Sequence, residues 1–134
     1  MTPATDSPDL TGIAVLLVDA HAESRNLLAQ GLRSSGAVVF TAASAPTALR
    51  QLTIVRFDVV ITDLALTAPD RYSFVRQIGD MPGATALPVI AITEHGFAQA
   101  QDILREGFAA PIAKPVDPLT LAQLVSQVVK RRWW

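Results

Sequence analysis

The chain has 134 residues, 50% of them hydrophobic and 17% charged, the balance of one compact domain with a proper core rather than of a disordered segment. A formal net charge of -1 argues against a nucleic-acid surface, which needs Lys and Arg in excess on one face. The absence of cysteine excludes disulfides and thiolate metal sites and is compatible with a reducing cytoplasm, the expected location.

Residues Met1 to Asp9 mix prolines, threonines, a serine and aspartates and read as a disordered lead-in, with one domain over residues 10–134. The first apolar run, Ile13–Val18, is far too short to span a bilayer. It also lacks the basic flank and cleavage site of a signal peptide, so no membrane contact is expected. Leu27, Leu28, Gly31 and Leu32 then share one face of a predicted helix. Val38–Phe40 follows as a second strand. Ser44 with Pro46 starts another helix, with Ala45, Ala48, Leu49 and Leu52 on one face. Val59–Ile61 is the third strand, Tyr72–Ile78 a short helix, and Pro88–Ile92 the fourth strand. A helix from about Phe97 to Glu106 is closed by Gly107, a residue type suited to the left-handed position past a helix end. The fifth strand, Ala110–Ala113, contains Pro111 and belongs at a sheet edge, because proline cannot donate to the ladder. Asp117 with Pro118 opens the last helix, where Leu121, Leu124, Val125 and Val128 form an i, i+3, i+4, i+7 stripe.

Near-continuous apolar strands are what a parallel sheet covered on both faces requires. The β-α alternation therefore predicts an α/β protein with right-handed crossovers. In such sheets ligands gather beyond the carboxyl ends of the strands, at the topological switch point.

Polar residues stand at that edge. Asp19 follows the first strand, Asp63 the third, Thr93 the fourth and Lys114 the fifth. Each alone fits a turn or a helix cap. Their coincidence suits phosphoryl transfer to a carboxylate. A divalent cation held by carboxylate and carbonyl oxygens screens the charge of the nucleophile. A Lys ammonium pairs with the transferred phosphoryl oxygens, and a Thr hydroxyl hydrogen-bonds one of them.

The pieces Val-Leu-Leu-Val-Asp19, Phe-Asp-Val-Val-Ile-Thr-Asp63, Pro-Val-Ile-Ala-Ile-Thr93 and Gly107…Lys114-Pro115 keep a fixed order and spacing. Together they resemble the receiver domain of bacterial response regulators, the family of the chemotaxis regulator, over nearly all of Leu10 to Val129. The resemblance implies a flavodoxin-like (βα)5 fold, a doubly wound parallel five-stranded sheet of order 2-1-3-4-5. It implies Asp63 as phosphoacceptor, Thr93 as switch hydroxyl and Lys114 as the lysine of the site. It also implies Mg2+ held by Asp19, Asp63 and the backbone carbonyl of Ala65, and a cis Lys114–Pro115 bond. The implied partners are a histidine kinase or histidine phosphotransfer protein, with output through protein–protein contact.

Three departures from the family pattern bear on this. Where two adjacent acidic residues usually end the first strand, this chain has Asp19-Ala20. Losing one anionic ligand costs on the order of 1–3 kcal/mol, by analogy with a charged hydrogen bond, or about one to two decades of metal affinity. Glu23 or His21 could reach in to compensate; otherwise Glu23 supports the helix dipole and His21 is a loop residue. In the loop after Asp63, Leu66-Thr67-Ala68-Pro69-Asp70-Arg71 keeps Asp70 but places Arg71 where glycine is usual. Pro111 replaces the aromatic switch residue, with Phe108 as a substitute or as a core residue.

A phosphorylation-independent pseudo-receiver, with Asp19 and Lys114 as a structural ion pair, is the alternative function. A haloacid-dehalogenase-like phosphohydrolase is the weaker one, since Asp19-Ala20-His21 lacks its second aspartate and the chain has no room for a cap domain. His95 reads as an exposed loop residue. Lys130-Arg131-Arg132 complements the last helix dipole, and Trp133-Trp134 could anchor a downstream partner or self-association.

Overall fold

The computed structural model describes residues 8–67, 72–82, 87–94 and 100–132. The lead-in before Pro8, Asp70, Arg71, His95, Phe97 and the two terminal tryptophans lie outside the described residues.

The elements alternate as β1 Ala14–Val18, α1 Ala22–Ser34, β2 Val38–Ala42, α2 Ala45–Leu52, β3 Val59–Asp63, a 3₁₀ turn Leu64–Thr67, α3 Ser73–Gly79, β4 Val89–Thr93, α4 Ala100–Arg105, β5 Ala110–Ala113 and α5 Pro118–Arg132. All pairings are parallel, and the strand order is β2-β1-β3-β4-β5. The flavodoxin-like architecture expected from the sequence is the one observed.

Burial explains why these runs are strands. β3 and β4 lie inside the sheet, and every one of their residues is buried. β2 is an edge strand and alternates, with Val38 and Phe40 exposed around buried Val39. Pro111 sits in β5 at the opposite edge, where no strand lies beyond it to need its missing N–H.

Two apolar layers flank the sheet. Leu28, Ala29 and Leu32 of α1 and Leu121, Ala122, Val125, Val128 and Val129 of α5 pack on Val15, Leu17, Val59, Ile61, Ile90 and Ile92. On the other face, Ala48 of α2, Phe74, Val75 and Ile78 of α3 and Ile103 of α4 cover Leu16, Val18, Val60, Val89 and Ala91. Successive strand residues thus feed opposite layers, as a period of two dictates.

Helix starts follow local chemistry. The Ser44 hydroxyl accepts the Thr47 N–H at 3.3 Å, and the Asp117 carboxylate accepts the Thr120 N–H at 2.9 Å. Gly107, at φ +110°, follows α4. The expected face of α1 needs one correction. Leu28 and Leu32 enter the core, but Leu27 is 56% exposed, because a step of one residue turns it about 100° away.

Gly31 lies in the interior of α1 because α5 starts against it. A Cβ there would sit 2.5 Å from the Pro118 Cβ, closer than van der Waals contact permits. Gly31→Ala is therefore expected to destabilise the fold despite the helix-propensity gain of about 1 kcal/mol. Overpacking against a rigid proline costs about 1–3 kcal/mol. A lower urea midpoint checks it; an unchanged or higher midpoint would mean that α5 moves aside without cost.

Among the described residues no helix is long and apolar enough to cross a membrane.

Candidate functional site

The chain leaves β1 for β2 on one side and later crosses to β3 on the other, so the switch point falls between the carboxyl ends of β1 and β3. Asp19 is the residue after β1, and Asp63 is the last of β3. Thr93 is the last residue of β4, and Lys114 directly follows β5. The fold brings all of these residues to one edge. Asp19, Asp63 and Thr93 are buried there, each at 5% exposure or less.

The ammonium of Lys114 donates to Asp63 Oδ2 at 2.7 Å and lies 3.6 Å from Glu94 Oε1. Partial burial pulls the Lys114 pKa down. The hydrogen bond to Asp63 and the charges of Asp63, Glu94 and Asp19 outweigh that, and hold it above the ordinary lysine value. The other oxygen of Asp63 accepts the Ala65 N–H at 3.0 Å. Adjacent strands hold this geometry, since the Lys114 N–H donates to the Thr93 carbonyl at 2.8 Å. The Lys114–Pro115 bond is cis.

Asp19 is held by its own loop. Its Oδ1 accepts the His21 N–H at 2.9 Å, its Oδ2 accepts the Ser24 hydroxyl, and its backbone carbonyl accepts Arg25 Nη1 at 2.8 Å. The His21 imidazole returns over it, with Nδ1 3.6 Å from Asp19 Oδ1. Ligand atoms of Asp19, His21 and Asp63 all lie within 4.8 Å of one another. Ala20 is exposed and adds no ligand side chain.

The donors fit a divalent cation. Each carboxylate oxygen of Asp19 and Asp63 accepts one of the hydrogen bonds above, and a second lone pair on each stays available. Hard carboxylate oxygens suit Mg2+. The set is thin, with two side-chain carboxylates and one imidazole.

The Asp19–Lys114 ion pair that belongs to the pseudo-receiver alternative is not what forms. Lys114 takes Asp63 instead, because β3 and β4 lie between β1 and β5 in the sheet and β3 is the nearer source of a carboxylate. Of the two candidates to reach the pocket after Ala20, His21 does so; Glu23 is exposed on α1 and outside the cluster. Phe108 is buried in the core and meets Tyr72 edge-on at 6.2 Å.

Sequence reasoning missed three participants. Glu94 directly follows Thr93, so the strand-end rule that found Thr93 could have found it. Ser24 and Arg25 carried no such signal, because only the first turn of α1 folds them back onto Asp19. A cavity of about 570 Å³ opens beside the group, lined by Asp19, Ser24, Leu27, Glu94, Lys114 and Val116 among others.

Comparisons with known proteins agree with this architecture. A family model described as the response regulator receiver domain matches residues 15–126. The chain is 34% identical over 119 residues to an uncharacterised 14.6 kDa protein of Leptolyngbya boryana, covering 88% of this chain and 91% of that protein. It is 32% identical to the sensor histidine kinase RcsC of Escherichia coli over 96% of its own length, but spans 14% of that kinase. Among solved structures, the chemotaxis response regulator CheY4 of Vibrio cholerae superposes with a TM-score of 0.81 at 27% identity, covering 88% of this chain and 99% of that one. With this fold, this strand-end arrangement and a family match over most of its length, the chain belongs to the response regulator receiver domain family.

Proposed function

We propose that the chain, through a receiver domain spanning residues 10–134 behind a short lead-in, accepts a phosphoryl group on Asp63. The donor is a histidine kinase or a histidine phosphotransfer protein, and the output is protein–protein contact. Receiver domains are in general switches rather than enzymes of turnover. The observation that carries the reading is the contact of Lys114 Nζ with Asp63 Oδ2 at 2.7 Å, at the switch point of the sheet.

The chemistry follows from the groups present. An Asp63 oxygen attacks the donor phosphorus in line, the new O–P bond forms, and the bond from phosphorus to the donor nitrogen breaks. The leaving imidazole keeps the electron pair of that bond. Lys114 then pairs with a phosphoryl oxygen instead of with the free carboxylate. The Ala65 N–H steadies the other oxygen of Asp63, and the Thr93 hydroxyl at the neighbouring strand end hydrogen-bonds the new phosphoryl group. Asp19, Asp63 and the Ala65 carbonyl would hold Mg2+, which when bound neutralises charge accumulating on the transferred group.

A phosphorylation-independent interaction module is the second reading, favoured by the missing carboxylate at Ala20 and by Pro111 in place of an aromatic relay. Incubation of the full chain with acetyl phosphate over a range of Mg2+, followed by intact mass measurement, separates the two. A labile phosphoryl adduct is expected. Its absence even at high Mg2+ would overturn the phosphoacceptor reading and leave the interaction module.

A further inference from the structure

We infer that Asp19, His21 and Asp63 form a cation site that prefers first-row transition cations such as Co2+ and Zn2+ over Mg2+, with the His21 imidazole standing in for the carboxylate that Ala20 does not supply. The inference rests on the cation position in the proposed function and goes beyond it, because it changes which metal the site selects.

The two carboxylates come from the ends of different strands, and the imidazole comes from the loop joining β1 to α1. Their ligand atoms lie within 4.8 Å of one another. A cation bonded at about 2.0–2.2 Å to imidazole nitrogen and carboxylate oxygen is held there after a small inward movement of these side chains. His21 has the freedom to make most of it. Its side chain is 76% exposed, so no core packing restrains the ring. Its backbone is nevertheless anchored, since the His21 N–H donates to Asp19 Oδ1 at 2.9 Å. The ring is therefore tethered beside the carboxylates and free to turn its nitrogen toward them.

Ligand chemistry then decides the selectivity. Mg2+ demands oxygen ligands in near-ideal octahedral geometry and gives up its waters reluctantly. Exchanging a carboxylate for an imidazole removes a negative charge and a hard oxygen, and both changes weaken Mg2+. The same exchange supplies the nitrogen donor that Co2+, Ni2+ and Zn2+ favour, and affinity for such sites rises along the Irving–Williams order. A simpler account is that His21 only pairs with Asp19 as an exposed loop residue. That account predicts no dependence of metal choice on the ring.

The test is calorimetric titration of the full chain with Mg2+, Co2+ and Zn2+, together with the visible absorption of bound Co2+. The wild-type chain is expected to bind Co2+ and Zn2+ more tightly than Mg2+. His21→Ala is expected to reduce the Co2+-over-Mg2+ preference by at least about tenfold, the scale seen when groups supporting a metal are removed, and to change the Co2+ absorption bands. Ala20→Asp is expected to shift the preference back toward Mg2+. His95→Ala serves as the control for binding by the other histidine.

Two results overturn the inference. One is a Co2+-over-Mg2+ ratio and Co2+ spectrum untouched by His21→Ala, above all if His95→Ala abolishes both. The other is failure of every cation to bind, which removes the cation from the proposed function as well. The first leaves the phosphoacceptor reading intact, so the two failures are told apart.

Discussion

Asp63→Asn is expected to remove the phosphoryl adduct completely while leaving the chain folded. The two side chains have nearly the same shape, so the packing at the end of β3 is preserved where Asp63 is 4% exposed. Reactivity is another matter. An amide nitrogen has its lone pair delocalised into the carbonyl, and its neutral oxygen is a poor nucleophile beside a carboxylate oxygen. Asp19→Asn makes the useful contrast. Asp19 would hold Mg2+ through the lone pairs left over by its hydrogen bonds to the His21 N–H and the Ser24 hydroxyl, so its substitution slows adduct formation but leaves an acceptor in place. Intact mass after acetyl phosphate treatment reads both variants, and far-ultraviolet circular dichroism confirms that both are folded. An adduct that persists in the Asp63 variant would place the acceptor elsewhere.

Lys114→Met is the second large effect, and it acts on rate and on stability at once. Without the ammonium, charge developing on the transferred phosphoryl group loses the cationic side chain that would pair with it. Removal of one such preorganised group costs about 10²–10³-fold in rate, and the lower end is expected here because Lys114 is partly open to solvent. Stability falls as well, since the buried Asp63 carboxylate loses a partner at 2.7 Å. A hydrogen bond to a charged group contributes about 1.5–3 kcal/mol. The lysine side chain is 30% exposed, and solvent screening brings the expectation to about 1 kcal/mol.

The pH dependence of that loss has a definite sign. The Lys114 pKa is raised in the folded chain, so its contribution is fully present below the unfolded lysine pKa of about 10.4. It disappears as pH rises through the elevated folded value. Urea unfolding of the wild type and the variant should therefore differ by a constant amount from neutral pH to about pH 9, and converge above the lysine range. A gap that closes near neutral pH would contradict the assignment.

Much of the fold was legible in the residues. Central strands are covered on both faces, so Val59–Ile61 and Pro88–Ile92 stood out as uninterrupted apolar runs, and strands form over both, with β4 opening at Val89 rather than at Pro88. Edge strands were harder. Val38–Phe40 was expected to stop at Phe40, yet β2 runs to Ala42, because Thr41 and Ala42 pair with Leu17 and Val18 of β1. Likewise Asp63 belongs to β3 rather than following it, since it pairs with Ile92. Pairing partners far away in sequence set those ends, and local hydropathy does not see them.

Asp19, Asp63, Thr93 and Lys114 could be named from the chain alone because apolar runs end there, and a parallel sheet sends every strand end to the same edge. That outcome depends on periodicity and handedness, both local properties of an L-polypeptide. The contacts among those side chains were decided otherwise. That Lys114 takes Asp63 rather than Asp19, that Glu94 stands beside it, that His21 turns back over Asp19 and that Gly31 makes room for Pro118 all depend on a few ångströms of separation between segments remote in sequence. Packing of two helical layers on one twisted sheet sets those distances, so only the tertiary structure could determine them.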